Sequence, residues 1–210
     1  MDVEYHLNSL IPHRLDALAI LDLLLAYQLH WGEPKPMQVF VDGQLQFEGN
    51  TNLLTNPVFE AGVLHARALL QFLGLRAKDG LLTNIRPKDR QPDDVGIEKI
   101  PMGNQFLQVV TPEQVRKIEP ENSDGALVAL LEAANKGMAH FTTNYPANPA
   151  EANTVALAAR LTQRLVEQYV YAQLGRTRPP PPIEARARRQ LLHRAADNSV
   201  TTLSAAHVER

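Results

Sequence analysis

The sequence predicts a mainly α, four-helix-bundle-like domain carrying one short β-hairpin, and three observations point there. Leu (30 residues) and Ala (25) together supply about a quarter of the 210 positions, and both favour helix. Aromatic residues, at 6%, are sparse for a sheet protein. Four long segments repeat apolar residues at helical spacing and are bounded by Pro, Asn or Gly at the positions where helices start and stop.

The first segment runs from Pro12 to Trp31, with Pro in the first turn and Gly32 and Pro34 as stop signals. Its middle, Ala17 to Ala26, is apolar nearly all round, which predicts a central helix packed on several neighbours. Residues 37 to 47 follow, in which Val39, Val41, Leu45 and Phe47 alternate about Asp42-Gly43. An Asp-Gly pair between two such runs favours a type I′ hairpin turn. A lone hairpin is marginal in water, so this one is expected to lie against the helices or to pair with another strand.

The second helix is expected from an Asn56 cap and Pro57 to Gly74. Between Arg76 and Thr111 the periodicity fails, and a connection of that length predicts a functional loop or an extended strand. Thr111-Pro112-Glu113-Gln114 fits a capping box and opens a short helix to about Ile118. A third main helix begins near Asp124 or Gly125 and reaches about Phe141, with Leu127, Leu131, Ala134, Met138 and Phe141 on one stripe. Asn148-Pro149-Ala150-Glu151 reads as another capping box, opening a helix that ends at Leu174 with Gly175 behind it. Val155, Ala159, Thr162, Val166 and Tyr169 form its inner face.

These elements make residues 1–175 a single helical domain. Residues 176–210 differ: a Pro-rich spacer, RTRPPPP, leads to a basic helix and a tail. From Arg176 to Arg194 there are six Arg against one Glu, in a chain whose net charge is −2.

Much chemistry is excluded by what is missing. There is no Cys, hence no thiol nucleophile, disulfide or zinc-thiolate site. The four Ser, at 9, 123, 199 and 204, lie in no serine-nucleophile motif. No phosphate loop, dinucleotide fingerprint, zincin motif or calcium loop occurs. A di-iron bundle needs Glu-x-x-His, yet Val63 and Asn135 stand three residues beyond Glu60 and Glu132. No cofactor and no metal are therefore expected. His13 and Asp16, one helical turn apart, could share a metal, but the spacing is common by chance. The start lacks the basic region of a signal peptide, and no apolar run approaches bilayer length, so a cytoplasmic location and no membrane association are expected.

Candidate functional residues fall in three groups. Glu60, Arg67 and Gln71 share one polar stripe of the second helix, either a solvated face or the lining of a cleft. His65, on the apolar side, reads as a hydrogen-bonded core residue. At the end of the third helix His140 is the group best suited to proton transfer near neutrality, with Asn135 and Lys136 beside it. In the basic segment Arg186, Arg188 and Arg189 are candidates for an RNA or protein partner.

Asn135-Lys136 followed by Ala139-His140 resembles the Arg-Asn-x-x-x-His element of the HEPN superfamily, helical bundles that include metal-independent ribonucleases. The resemblance covers about eight residues. It implies a His, and an Arg a few residues before it, acting on a scissile phosphate across a homodimer cleft. Here the sequence departs from the family, because Ala133, Ala134 and Asn135 occupy the positions of that Arg. Arg67 of the second helix is the residue that would replace it. Arg188 and His193 also fit the spacing, within the basic tail.

The sequence thus predicts a helical binding or regulatory protein acting as a homo-oligomer. The alternatives are a HEPN-like ribonuclease using His140 and Arg67, and an inter-helix small-molecule pocket lined by Glu60, Arg67 and His140.

Overall fold

The computed structural model describes residues 2–137 and 149–180. It is mainly helical, with bundle-like helix contacts and three small two-stranded antiparallel hairpins among the described residues. Helix α1 consists of Val3–Tyr5, a π turn His6–Leu10 and Ile11–Trp31 without a break. Strands β1 (Pro36–Val41) and β2 (Gln44–Asn50) form the first hairpin, and α2 covers Asn52–Phe72. Strands β3 (Leu75–Lys78) and β4 (Leu81–Asn84) form the second, β5 (Pro101–Met102) and β6 (Gln105–Phe106) the third. Then come α3 (Pro112–Ile118), α4 (Ser123–Glu132, continued by a π turn Ala133–Gly137) and α5 (Pro149–Val166, continued by a π turn Glu167–Tyr171).

Leu7, Ile11, Leu15, Leu18, Leu21 and Leu25 form one buried stripe on α1, spaced by threes and fours as a helix requires. That stripe packs on α2 and α5, while α4 closes the bundle against α5 and the β3–β4 hairpin. The predicted inner faces are found: Leu127, Leu131 and Ala134 of the third main helix and Val155, Ala159, Thr162 and Val166 of the last are buried. The predicted Met138 and Phe141, the Asn148 cap and the basic helix beyond residue 180 lie outside the described residues. Helix α1 is less central than its composition predicts, since Ile20, Leu23 and Leu24 remain half-exposed.

Two helix starts differ from the sequence reading. Pro57 is not an N1 residue, because α2 begins five residues earlier, at Asn52. The chain is pinned there by Thr51, whose N–H donates to the Lys35 carbonyl at 2.9 Å and whose hydroxyl accepts the Lys35 N–H at 3.2 Å. Pro12 stands in the first turn of the α-helical segment Ile11–Trp31, as predicted, but helical backbone begins earlier, at Val3, capped by the Asp2 carboxylate, which accepts the Tyr5 N–H at 2.9 Å. A proline inside a helix removes a donor and crowds the preceding turn. The π turn immediately before Pro12 widens that turn, with the Ile11 N–H reaching the His6 carbonyl five residues back. In this register Pro12 is the residue that would have donated to Leu7. The Leu7 carbonyl is met instead by the buried Tyr171 hydroxyl, at 2.7 Å. The end of the last helical run agrees with the sequence: Gly175 takes φ +63°, Arg176 N–H bonds Tyr171 and Gly175 N–H bonds Ala172, a Schellman stop.

The long connection carries strands, one of the two predicted outcomes. Its Asp79-Gly80 turn, with both residues at positive φ, repeats the device of Asp42-Gly43. Asn84 then clasps the region, its side-chain amide donating to the carbonyls of Gly74 (3.1 Å) and Val110 (2.7 Å). Gly74 permits this closure twice over: φ is +90°, and a Cβ would lie 2.8 Å from Val109 Cγ1. Ile97, Ile100, Leu107 and Val110 seal the core from this side.

Burial pushes the Tyr171 phenol up to about 12 from its ordinary 10.0. The folded state therefore keeps a proton that the unfolded chain releases first, so stability is full below pH 10.0 and falls as pH rises toward about 12. We predict that Tyr171→Phe costs about 1–2 kcal/mol at neutral pH, by leaving the Leu7 carbonyl unmet. It should also flatten the alkaline fall in denaturant midpoint.

Candidate functional site

Among the described residues, those singled out by the sequence are not brought together as one site. Glu60 is exposed, and Arg67 and Gln71 are half-buried on the same face of α2. Glu60 and Arg67, two turns apart, form no ion pair, and Arg67 makes no hydrogen bond or ion pair with a described residue. Helix α2 does pack on the π turn Ala133–Gly137, where Asn135 is exposed. His140, the Lys136 side chain and Arg186, Arg188 and Arg189 lie outside the described residues. Arg176 and Arg178 of the basic segment are engaged by the helical body: Arg176 grips Glu4 at 2.7 Å, and the nearly buried Arg178 reaches Asp16 at 3.0 Å and Glu167 at 3.5 Å.

That last contact bears on His13 and Asp16. The Asp16 carboxylate is held by Arg178. Among the described residues no group of three or more His, Asp or Glu could hold a metal ion.

What the structure does gather is a cluster on the first half of α1. Arg14 Nη1 donates to His65 Nδ1 at 3.1 Å, joining α1 to α2 across 51 residues of sequence. The His13 ring stands edge-on to the His65 ring, with centroids 5.2 Å apart. His65 and Arg14 are half-buried, whereas His13 is exposed. Burial depresses the Arg14 guanidinium, and no carboxylate counters it. Burial first, then the charges of Arg14 and His13, hold His65 below the ordinary imidazole value of 6.5. The core role read for His65 is therefore half right: it is hydrogen-bonded, but by a cation and at an accessible edge. Arg14 carried no signal in the sequence, since only the fold sets it against His65.

A second feature was half visible. The β1–β2 hairpin forms with the expected I′ turn, Asp42 at φ 51° and Gly43 at φ 75°, but among the described residues it seats against no helix core and pairs with no third strand. A bulge between Val39 and Phe40 shifts the register, so Phe40 pairs with Leu45 and Val39 with Phe47. Phe40, Val41, Leu45 and Phe47 remain 56%, 54%, 47% and 49% exposed. A shallow concavity lined by Pro34, Pro36, Gly49, Asn50, Leu53 and Asn56 lies at the hairpin base. Beside it, the end of α1 carries a stacked Tyr27–Trp31 pair and an exposed Leu29.

No helix among the described residues is long and apolar enough to cross a membrane. Comparison of the chain with protein-family models, with curated proteins and with solved structures gives no match.

The cluster yields a titration test. His65 should titrate below 6.5, and Arg14→Gln, which removes the cation, should raise it. Because the folded value is depressed, the contribution of this group to stability is present above pH 6.5 and is lost as pH falls through the folded value. Histidine ring NMR against pH, in wild type and variant, reads both shifts.

Proposed function

We propose that this protein is a helical binding or regulatory module that works as a homodimer, its subunits joined through the β1 edge of the protruding hairpin. The observation that carries the reading is the exposure of that hairpin. Strand β1, Pro-Met-Gln-Val-Phe-Val, has no charged residue, and its outer edge is unpaired among the described residues. An uncharged edge flanked by half-exposed Phe and Leu is a template for another strand. Antiparallel pairing of two identical edges about a two-fold axis is self-complementary, so a second copy of the chain fits without any new surface. Such pairing would give a four-stranded sheet, which removes the marginal stability of an isolated hairpin.

Sedimentation should then show reversible, concentration-dependent dimerisation of the wild-type chain. Phe40→Lys/Val41→Lys should be monomeric with unchanged helical circular dichroism and stability altered by no more than about 0.5 kcal/mol, as expected for exposed positions. A wild-type chain that stays monomeric, or a double variant that associates equally well, would overturn the reading.

A second reading, RNA cleavage of HEPN type, has one structural feature in its favour. Arg67 is a half-buried cation with no anionic partner among the described residues, on a helix that packs against the turn leading toward His140. If His140 serves as the proton donor or acceptor and Arg67 holds the phosphate, single-stranded RNA should be cut in the presence of chelator. His140→Ala should then slow cleavage by a factor of roughly 100 or more, the usual weight of one general acid or base. RNA left intact by wild type, or cut equally by the variant, would end this reading.

A further inference from the structure

We propose that Arg14, His65 and His13 form a binding site for a phosphate group, separate from the hairpin and lying in the first half of α1. Between His13 and Trp31 the helix advances about 27 Å, at 1.5 Å per residue, so the two surfaces are physically independent.

Arg14 carries an unbalanced charge. A guanidinium that is half removed from water needs an anion beside it, because desolvation penalises the charged form. Arg14 has no such partner among the described residues; its one hydrogen bond goes to an imidazole nitrogen. The acid two residues along the helix, Asp16, is occupied by Arg178 at 3.0 Å.

The neighbours are all of one kind. His65 accepts the Arg14 N–H on Nδ1, so a neutral His65 carries its proton on Nε2 and can donate from that side. The His13 ring, edge-on at 5.2 Å and exposed, supplies a further ring N–H. A guanidinium with two imidazoles, and no carboxylate paired to the guanidinium, attracts an oxyanion and repels a metal cation. The fork of remaining Arg14 N–H groups matches two oxygens of one acid group, and a phosphate offers further oxygens for the imidazole donors. A planar carboxylate, with two oxygens, would leave part of the donor set unmet.

The test uses the full chain with inorganic phosphate as probe and acetate as the competing chemistry, read by the ring resonances of the histidines. Phosphate should shift His13 and His65 together and saturably, with the other five His unmoved. Acetate should bind at least about tenfold more weakly, and Arg14→Gln should weaken phosphate by about tenfold or more, the loss of one charge-assisted contact. His13→Asn, at an exposed position, provides a second variant that keeps the fold and should weaken binding less than the loss of Arg14. Absence of a saturable shift, an equal response to acetate, or phosphate binding unchanged in both variants would overturn the proposal. The hairpin reading stands or falls separately, since none of these measurements involves residues 36–50.

Discussion

Gly62 of α2 packs directly on Leu21 of α1: a Cβ at this position would stand 2.7 Å from Leu21 Cβ. No side chain larger than hydrogen fits without moving one helix away from the other. The contact has consequences along both helices. Residue pairs run in opposite senses, His65 meeting Arg14 while Gly62 meets Leu21, and Lys35 and Thr51 tie the two chain ends together. The chain between them leaves the helix pair as the β1–β2 hairpin, whose Phe40, Val41, Leu45 and Phe47 stay exposed.

Polar contacts then fix how the remaining pieces sit on this pair. The nearly buried Asp22 receives Arg160 at 2.7 Å, joining α1 to α5. Tyr171 repairs the carbonyl that Pro12 leaves without a donor, and Arg178 locks the chain beyond Gly175 onto Asp16. Two of these bonds anchor the first helix to the last and the third ties it to the chain beyond, so the first half of α1, where Arg14 and His13 lie, is held by the fold.

The sequence was most informative where structure is local. Apolar spacing revealed the inner faces of the helices, Asp42-Gly43 revealed the hairpin, and Thr111 to Gln114 revealed a capping box that forms with both of its bonds. Proline misled at Pro57, which lies inside α2, and informed only in part at Pro12, where a π turn carries helical backbone back to Val3. Asp79-Gly80 carried the same turn signal as Asp42-Gly43, but the charged residues around it masked the short strands. The Arg14–His65 contact was illegible for a different reason. It spans 51 residues, and the angle at which two helices cross is set by packing, not by the spacing of either one. Seating of the hairpin likewise depends on what surface the rest of the fold leaves uncovered.

Helical packing that leaves an uncharged, aromatic-tipped strand pair exposed leads to the central functional claim, that a second copy covers β1. Amide hydrogen exchange across residues 36–50, followed as a function of protein concentration, tests this most directly. The account predicts exchange that is fast when the chain is dilute and slows with concentration across β1, while the amides of α1 and α2 are indifferent. Exchange at β1 that does not change with concentration would contradict it.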